Sequence, residues 1–509
     1  MTEASRSTVL SRSLACALAA LVSTVSGGRG IDTVPQGMRV NRVEIDPGQR
    51  GCVNVAGPDA TTEVSCIGPE PIVHVEPSRK TPPTVAATTR MDNPGRQPIV
   101  RPMTNGAAQE ILITGGGLAG GTLALALAQS GLRVTLIDRE APEVQADAGF
   151  DGRSYALALG SKRLLANIGL WSAVAENAQP INGIRVSDGR AGEGPLTPFH
   201  LAFDAAEIEE GPMGYLLEDR FLRRAMLSAL AGSGVTHLTG QSVVSQEIAG
   251  QRIHASLDGG GDHAAALLIG CDGRRSGTAE RAGISRTGWA YGQAAVVCAV
   301  GHELDHGGIA HQFFMPGGPL AILPLPGRRS SIVWSETDAR AKTLMKMDDA
   351  AFLEALRPAF GSFLGDISLA GDRFSYPLGL TLADSFVAPR VALAGDAAHG
   401  VHPIAGQGLN AGLRDVAALV DVLDEARKRG EDIGSVPVLS RYERWRRFDT
   451  ATLAVATDSF NRLFSNDIPI LRGLRDLGLG AVNALPGLRR AFIREAAGLT
   501  GDLPRLMRR

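Results

Sequence analysis

The sequence is poor in cysteine and carries almost no net charge. Its five cysteines show neither the close spacing of a metal site nor a framework of pairs, which favours a reducing, cytoplasmic compartment and predicts no metal centre. A formal net charge of −2 argues against a nucleic-acid-binding protein. After residue 105 no uninterrupted apolar run is long enough to span a bilayer. With 509 residues, 44% of them apolar, the chain is long enough for two or more globular domains.

Residues 1–105 differ in composition from the rest of the chain. They are rich in Ser, Thr, Pro and Gly and have little helical or strand periodicity, so we expect a disordered extension that buries no core. Arg6 and Arg12, before the apolar residues 14–22, have the layout of a secretory signal peptide. Three interpretations stay open: a start assigned too far upstream of a chain that begins near Met103, a disordered appendage, or a working signal. The first predicts that residues 1–102 are dispensable.

A glycine-rich turn begins the region of regular patterns. Residues 115–120 fit G-x-G-x-x-G, follow an apolar strand and open a helix rich in Ala and Leu. In that setting Gly115 permits a tight turn, Gly117 the approach of a pyrophosphate, and Gly120 close packing of helix on strand. The next strand ends at Asp138, about twenty residues on, where an acid bonds ribose hydroxyls. We therefore predict a dinucleotide site for NAD or FAD.

Two later apolar strands end in an aspartate beside a glycine. One occupies residues 265–270 and the other residues 390–394, and a glycine-rich turn and a helix follow the second. A strand-end carboxylate can accept hydrogen bonds from ribose or polyol hydroxyls, and a helix N-terminus favours negative charge. A strand-to-helix connection with a capping aspartate is the alternative. The residues predicted to surround the ligand are Asp272, Gly273, Gly395, Asp396, Gly406 and Gly408.

Single arginines and histidines give weaker indications of a cofactor-binding or catalytic role. Arg153, beside a glycine at a helix start, is placed to reach a phosphate or flavin edge, with a solvated arginine as the alternative. His311, His399 and His402 have neither metal-ligand spacing nor a base partner, so a structural or cofactor-adjacent role is predicted. No side chain is predicted as a catalytic acid or base.

Together these motifs resemble those of the single-component flavoprotein aromatic hydroxylases. The order is G-x-G-x-x-G, then Asp272 with Ser276, then Gly395-Asp396 followed by Pro403 and residues 406–410. More narrowly, residues 149–153, 376–378 and 402–408 are similar to the ubiquinone-biosynthesis hydroxylases, closest to the 2-polyprenyl-6-methoxyphenol hydroxylases. The resemblance covers residue 110 to the C-terminus. Asp138 departs from it, since the family more often has Glu there, but the carboxylate is kept.

The resemblance implies a non-covalently bound FAD, NAD(P)H as reductant and O₂ as co-substrate. It places the FAD pyrophosphate on the three glycines of residues 115–120, the adenosine ribose on Asp138 and the ribityl chain or phosphate on Asp396. Arg153 and Arg220 occupy positions where family arginines contact the FAD phosphates, and Asp272 also shapes the approach of NAD(P)H. The other positions that it places at the cofactor are Gly273, Gly395, Pro403, Gly406, Gly408 and Asn410, with the backbone of residues 406–410 against the isoalloxazine.

The predicted fold is α/β: a Rossmann-like FAD/NAD(P)-binding domain, an inserted antiparallel-sheet substrate domain and a helical C-terminal tail. We assign residues 108–180, 214–288 and 380–430 to the first, 181–213 and 289–379 to the second, and 431–509 to the tail. Strands separated by Gly/Pro turns between residues 293 and 334 predict the substrate sheet. The large side chains of this sheet are Phe313, Phe314, Leu320, Ile322 and Trp334. They either line a pocket for an apolar ring or form ordinary sheet core.

The predicted activity is that of an FAD-dependent monooxygenase that hydroxylates a polyprenylated phenol in ubiquinone biosynthesis. A reductase or dehydrogenase of a prenyl lipid on the same fold and a non-catalytic dinucleotide sensor are the alternatives. The apolar and arginine-rich tail suits a helix at an anionic membrane surface, and a packed helical cap explains it nearly as well. We therefore expect a cytoplasmic protein, with peripheral contact at the inner membrane and a ubiquinone-biosynthesis protein complex as further expectations.

Overall fold

A computed structural model describes residues 52–56, 62–66, 110–145, 152–188, 200–315, 317–401, 406–464 and 485–508. Strands and helices alternate at its start, and runs of consecutive strands make up much of the rest. Its strands are β1 Cys52–Ala56, β2 Thr62–Cys66, β3 Glu110–Thr114, β4 Arg133–Asp138, β5 Ser154–Ala158, β6 Gln179–Ile181, β7 Gly183–Asp188, β8 His200–Asp204, β9 Gly214–Glu218, β10 Thr236–Thr239, β11 Val243–Ala249, β12 Arg252–Leu257, β13 Asp262–Ala265, β14 Leu267–Gly270, β15 Arg286–His302, β16 Ile309–Met315, β17 Gly318–Leu325, β18 Arg329–Thr337, β19 Ile367–Leu369, β20 Phe374–Ala383, β21 Val387–Ala388, β22 Val391–Leu393 and β23 His399–Gly400. Its α-helices are α1 Leu118–Gln129, α2 Pro142–Gln145, α3 Leu159–Asn167, α4 Asp219–Ala231, α5 Gly277–Arg281, α6 Asp338–Lys346, α7 Asp349–Phe360, α8 Gln407–Lys428, α9 Val436–Phe464 and α10 Pro486–Ala496.

A six-stranded sheet in the order β10-β4-β3-β14-β22-β21 forms the centre of the nucleotide-binding part. All neighbours pair in parallel except β21 and β22. Its central strands are continuous apolar runs because both faces are covered, and Ile111, Leu112 and Ile113 are fully buried. The carboxyl ends of β3, β4, β14 and β22 therefore meet at one edge of the sheet, where ligands of such folds bind.

A nine-stranded sheet is built from residues 183–204, 286–383 and 399–400. Its order is β23-β20-β15-β18-β17-β16-β7-β8, and β19 pairs with β15 outside that path. Neighbours are antiparallel apart from β16 and β7, which run in parallel, so the sheet is not purely antiparallel. Helices α6 and α7 cover one face, where Trp334 and Phe352 lie with ring centroids 6.4 Å apart. The predicted α/β class, with a Rossmann-like part, a second sheet and C-terminal helices, is confirmed.

Two smaller sheets and the C-terminal helices complete this part of the fold. The strands β11, β12 and β13 form an antiparallel meander, and β5, β9 and β6 form a second three-stranded sheet. Helix α9 packs on α8 and donates a hydrogen bond from the Tyr442 hydroxyl to the carbonyl of Leu393 in β22, at 2.7 Å. Among the described residues, no helix is both long enough and apolar enough to span a bilayer.

The hairpin of β1 and β2 belongs to a separate unit and differs from the sequence expectation for residues 1–105. Its strands pair antiparallel, with Cys52 opposite Cys66, where we predicted no regular structure. β-branched residues in both strands, with Gly57 and Pro58 between them, explain the departure locally. An isolated two-stranded hairpin is at best marginally stable in water. The rest of residues 1–109 lies outside the described part of the chain.

Candidate functional site

The glycine-rich turn after β3 has the predicted geometry. Gly115 has a φ of +94°, and a Cβ there would lie 2.4 Å from the carbonyl oxygen of Cys271. A Cβ on Gly120 would lie 1.9 Å from the carbonyl oxygen of Gly115, so the helix can approach the turn only without a side chain at this position. Gly117 is different, because a Cβ there would meet no atom within 4 Å. Two glycines thus allow close packing, and the third faces open space.

Asp138 ends β4 next to the same turn. It is 8% exposed, and a Cβ built on Gly116 would lie 2.2 Å from its Oδ2. Its Oδ1 accepts a hydrogen bond from the backbone N–H of Glu140 at 3.2 Å. The structure therefore brings the predicted ribose-binding carboxylate beside the predicted pyrophosphate-binding turn.

Asp272, after β14, uses both carboxylate oxygens inside the protein. Oδ1 accepts from the Ser276 hydroxyl at 2.5 Å, and Oδ2 accepts from the Thr278 N–H and hydroxyl, both at 2.9 Å. The Thr278 hydroxyl also lies 2.8 Å from that of Thr114 in β3. These contacts cap α5 and join two strand ends, so Asp272 positions this edge of the sheet. Gly273 has a φ of +79°, and a Cβ there would have no atom within 4 Å.

Gly395 and Asp396 form a turn after β22. Gly395 has a φ of +61°, and a Cβ there would lie 3.3 Å from Cβ of Ala119 in α1 and 3.9 Å from Cα of Gly412 in α8. Asp396 projects from this turn with its side chain 45% exposed. Its Oδ2 lies 3.3 Å from Nε of Arg274, which has a 42% exposed side chain. A carboxylate presented in this way at the sheet edge is accessible to a ligand.

A buried charge network holds this turn, and it was not predicted from the sequence. Asp415 in α8 is fully buried, and its Oδ2 accepts from the N–H of Gly395 at 3.0 Å and lies 2.5 Å from Nε2 of His399. Its Oδ1 accepts from Nε of Arg446 in α9 at 2.8 Å. Burial alone would raise the pKa of the Asp415 carboxyl, but His399 and Arg446 hold it below the ordinary value. The structure thus gives His399 an acidic partner that the sequence did not indicate, and through Asp415 the histidine supports the turn.

The start of α8 is fixed to β5 and α3 by Asn410. The amide oxygen accepts from Ala158 N–H at 2.9 Å and from the Ser161 hydroxyl at 2.7 Å, and the amide nitrogen donates to the carbonyl of Ala156 at 2.8 Å. Gly406 has a φ of +63°, and a Cβ there would lie 3.0 Å from Cβ of Ala156. Because its side chain is used within the protein, Asn410 can serve a cofactor only through its backbone. Gly408 has open space at the Cβ position.

Arg153 and Arg220 lie beside two neighbouring acids at the junction of β9 and α4. Nη2 of Arg153 is 3.6 Å from Oδ2 of Asp219, and its side chain is 43% exposed. Nη2 of Arg220 is 2.7 Å from Oε2 of the buried Glu218. Their contact with FAD phosphates stays a prediction.

The large residues proposed for the pocket occupy the sheet core. Leu320, Ile322 and Trp334 are at most 4% exposed beneath α6 and α7, where Phe313 packs against the same cluster. Phe314 lies on the opposite face and is also buried. The sheet-core alternative therefore holds for these side chains. Pro403 and His402 lie outside the described residues. In the part of the chain that the structure describes, no group of His, Cys, Asp and Glu side chains could hold a metal ion.

The residues at the sheet edge fit a dinucleotide such as FAD. Open space at the Cβ positions of Gly117, Gly273 and Gly408 lets a ligand lie directly against the backbone after β3, after β14 and at the start of α8. Helix α1 has neither an acidic residue in its first turn nor a side-chain cap, so its N-terminal N–H groups favour a phosphate. Asp138 lies next to Gly116 in the first of these turns, and Asp396 contacts Arg274, the residue after Gly273.

Comparison with known proteins agrees with this geometry. A family model described as "FAD binding domain" matches residues 108–452. The chain is 44% identical to the ubiquinone hydroxylase UbiL of Rhodospirillum rubrum over 415 residues, covering 80% of this chain and 95% of that protein. It is 39% identical to the 3-demethoxyubiquinol 3-hydroxylase of Escherichia coli, over 78% of this chain and 100% of that protein.

A solved structure has the same fold at lower sequence identity. The p-nitrophenol 4-monooxygenase PnpA from Pseudomonas putida superposes with a TM-score of 0.65 at 19% identity, over 77% of this chain and 98% of that one. The family match, the two hydroxylases and the glycine geometry agree on the cofactor, which is FAD. The chain therefore belongs to the FAD-dependent hydroxylases of ubiquinone biosynthesis and is an FAD-dependent aromatic monooxygenase.

Proposed function

We propose that this enzyme hydroxylates the aromatic ring of a polyprenylated phenol in ubiquinone biosynthesis, with NAD(P)H as the reductant and O₂ as the oxygen source. The observation that carries the proposal is the meeting of three glycine-bearing strand ends at one sheet edge, next to the start of α8. The identity of 44% with a ubiquinone hydroxylase, over 95% of its length, supports the substrate class.

Bound FAD would supply the activation of O₂, and the chain would bind and orient both the cofactor and the ring. The N–H groups at the start of α1 would hold the pyrophosphate, Asp138 the ribose and Asp396 the ribityl hydroxyls. The N-terminus of α8, a helix of 22 residues with no acid in its first turn, would favour negative charge on the ring system of the cofactor. Asp415 and Asn410 would act indirectly, because they position Gly395 and the start of α8.

A peripheral membrane contact belongs to the same proposal, and the exposed side of α9 supports it. Phe448 and Val455 are 58% and 55% exposed and lie about two turns apart on one side of the helix, near the exposed Arg444 and Arg447. Apolar and basic residues together suit the surface of an anionic membrane, where a polyprenylated substrate resides. The protein should sediment with anionic vesicles and Phe448→Glu should reduce this; equal recovery in the supernatant with and without vesicles would contradict it. The cytoplasmic location and the protein complex stay predictions.

Deletion of the gene tests the substrate class directly. Cells lacking the protein should accumulate a prenylated phenol that misses one ring oxygen, identified by mass spectrometry, and a plasmid copy should restore the quinone. The ring position of the missing oxygen would also test the narrower similarity to 2-polyprenyl-6-methoxyphenol hydroxylases. Accumulation of a quinone with altered prenyl saturation would favour the reductase alternative. Unchanged quinones, in a strain without a second hydroxylase, would favour a dinucleotide sensor.

A further inference from the structure

The nine-stranded sheet has two faces of different character. On the face under α6 and α7, Trp334 and Leu320 are directly opposite in register, and both are buried. Residues one position along each strand point to the other face, because side chains alternate along a strand. That other face carries Val333 and Ala321, which are also directly opposite each other.

One row of this other face is half-buried, whereas most residues in the rows beside it are buried; in one of those rows Leu323 and Ile184 are half-buried as well. The row crosses five strands in register, and we call it the open row: Val297, Val333, Ala321, Gln312 and Val186. Its last four members are only partly buried. On the same face, Ala295 and Ser335 on one side, and Ala299 and Ser331 on the other, are at most 3% exposed. The face is therefore not fully covered at these positions, although Val186 still packs against the cluster that contains Phe314.

Residues on both sides of the open row also pack against groups at the cofactor edge. On one side Ala156, which contacts Gly406 and accepts a hydrogen bond from Asn410, packs in the same clusters as Leu323 and Ala299 of this face. On the other side Tyr291 packs against the cluster that contains Val297 of the open row and against the cluster that contains Val401. The open row therefore lies between groups that contact the two ends of the chain segment from Val401 to Gly406.

Gln312 is the polar member of the open row. Its neighbours in register, Ala321 and Val186, are apolar, and among the described residues its side-chain amide has no hydrogen-bond partner. A partly buried amide without a protein partner can bind water, and a ligand that covers it must replace those hydrogen bonds. An amide offers both a donor and an acceptor, which matches a phenolic hydroxyl or a methoxy oxygen.

We propose that the open row is the floor of the substrate site and that Gln312 is a specificity-determining residue that binds an oxygen substituent of an uncharged phenol ring. The small side chains of Ala321 and Val333 leave room for a flat ring against the sheet. The five side chains of the row carry no charge, so a carboxylated ring would find no counter-ion on this floor. This inference rests on the proposed function, because it takes the substrate to be a prenylated phenol.

The test compares two ligands on two proteins. A short-chain prenylated phenol and the same compound without the ring hydroxyl are titrated into FAD-loaded protein, and the absorbance change of the flavin reports binding. The natural protein should bind the phenol roughly 3- to 10-fold more tightly than the deoxy compound, the preference expected for one neutral hydrogen bond. Gln312→Met, which keeps an unbranched side chain, should bind both compounds with equal affinity. Gln251→Met, at an exposed position, is the matched control and should keep the preference.

The outcomes separate this inference from the proposed function. If the natural protein binds neither compound, the proposed substrate class fails. If it binds the phenol more tightly and Gln312→Met keeps that preference, the role of Gln312 fails while the proposed function stands. FAD content is measured for every variant, and Gln312→Leu replaces Gln312→Met if the latter does not retain FAD. If Gln312→Met and Gln312→Leu have normal FAD content but weaken the binding of both compounds by the same factor, the effect is structural. That result would also overturn the role of Gln312.

Discussion

Replacement of Asp415 by alanine should be among the most destabilising single changes at the cofactor edge. The fully buried carboxylate accepts hydrogen bonds from the N–H of Gly395 and from Arg446, and it contacts Nε2 of His399. Without it, the Arg446 side chain, which is 3% exposed, keeps Asp449 as its one acidic partner in the described part of the chain, at 3.1 Å. The turn that presents Asp396 would lose its backbone anchor in the same step.

The size of the effect follows from this burial. Removing one partner of a buried charge pair costs about 3–5 kcal/mol, because the remaining charge is left buried. That is a large fraction of the roughly 5–15 kcal/mol that stabilises a typical domain. Glu425→Ala in the same helix is the matched control, since Glu425 pairs with Arg429 at 3.6 Å and both side chains are more than half exposed. An exposed pair of this kind contributes at most about 1 kcal/mol.

Urea unfolding of the FAD-loaded proteins measures both variants, and the affinity of the apo-proteins for FAD is measured alongside. Asp415→Ala should lower the free energy of unfolding by several kcal/mol more than Glu425→Ala and should also weaken FAD binding. The depressed pKa of Asp415 means that its contribution is present above the ordinary aspartate value and is lost only as the pH falls below it. Equal unfolding free energies for the two variants would refute the view that Asp415 holds the turn.

Three further predictions concern separate parts of the chain. Asp396→Ala should weaken FAD binding by about 1.5–3 kcal/mol, as expected for a hydrogen bond to a charged group, and unchanged occupancy at limiting FAD would remove Asp396 from the site. Burial, followed by the charge of Arg185, lowers the pKa of His311 to about 4, so the unfolded chain takes up the proton first as the pH falls. Stability should therefore fall by about 2 kcal/mol between pH 7 and pH 5, and a His311→Phe variant that shows the same fall in urea unfolding would contradict this. A chain that starts at Met103 should keep FAD and activity, and failure of that chain to fold would revive the alternatives for residues 1–102.

The strand ends at the cofactor edge could be predicted because their signals are local. Gly115 and Gly120 occupy positions where the structure has no room for a Cβ, and the strand, turn and helix around them are contiguous in sequence. The same holds for Gly395, whose positive φ belongs to a turn between an apolar strand and a helix. Short-range patterns of this kind depend little on the rest of the fold.

The Asp415 network could not be predicted because its partners are distant in sequence. Arg446 lies 31 positions from Asp415 and comes from another helix, so only the packing of α9 on α8 brings them together. The same limit applies to the substrate sheet. Alternation along β17 and β18 separates Leu320 and Trp334 from Ala321 and Val333, but it does not say which set is covered by α6 and α7. The sequence therefore left pocket and sheet core as alternatives for the large apolar residues, and the structure places them in the core.

Labelled oxygen tests the central claim most directly. Purified FAD-loaded protein is mixed with NAD(P)H, a short-chain prenylated phenol and isotopically labelled O₂, and the product is analysed by mass spectrometry. The proposed function predicts one labelled oxygen atom on the ring, with the phenol stimulating NAD(P)H oxidation. NAD(P)H oxidation that the phenol does not stimulate, or a product that carries no labelled oxygen, would contradict it.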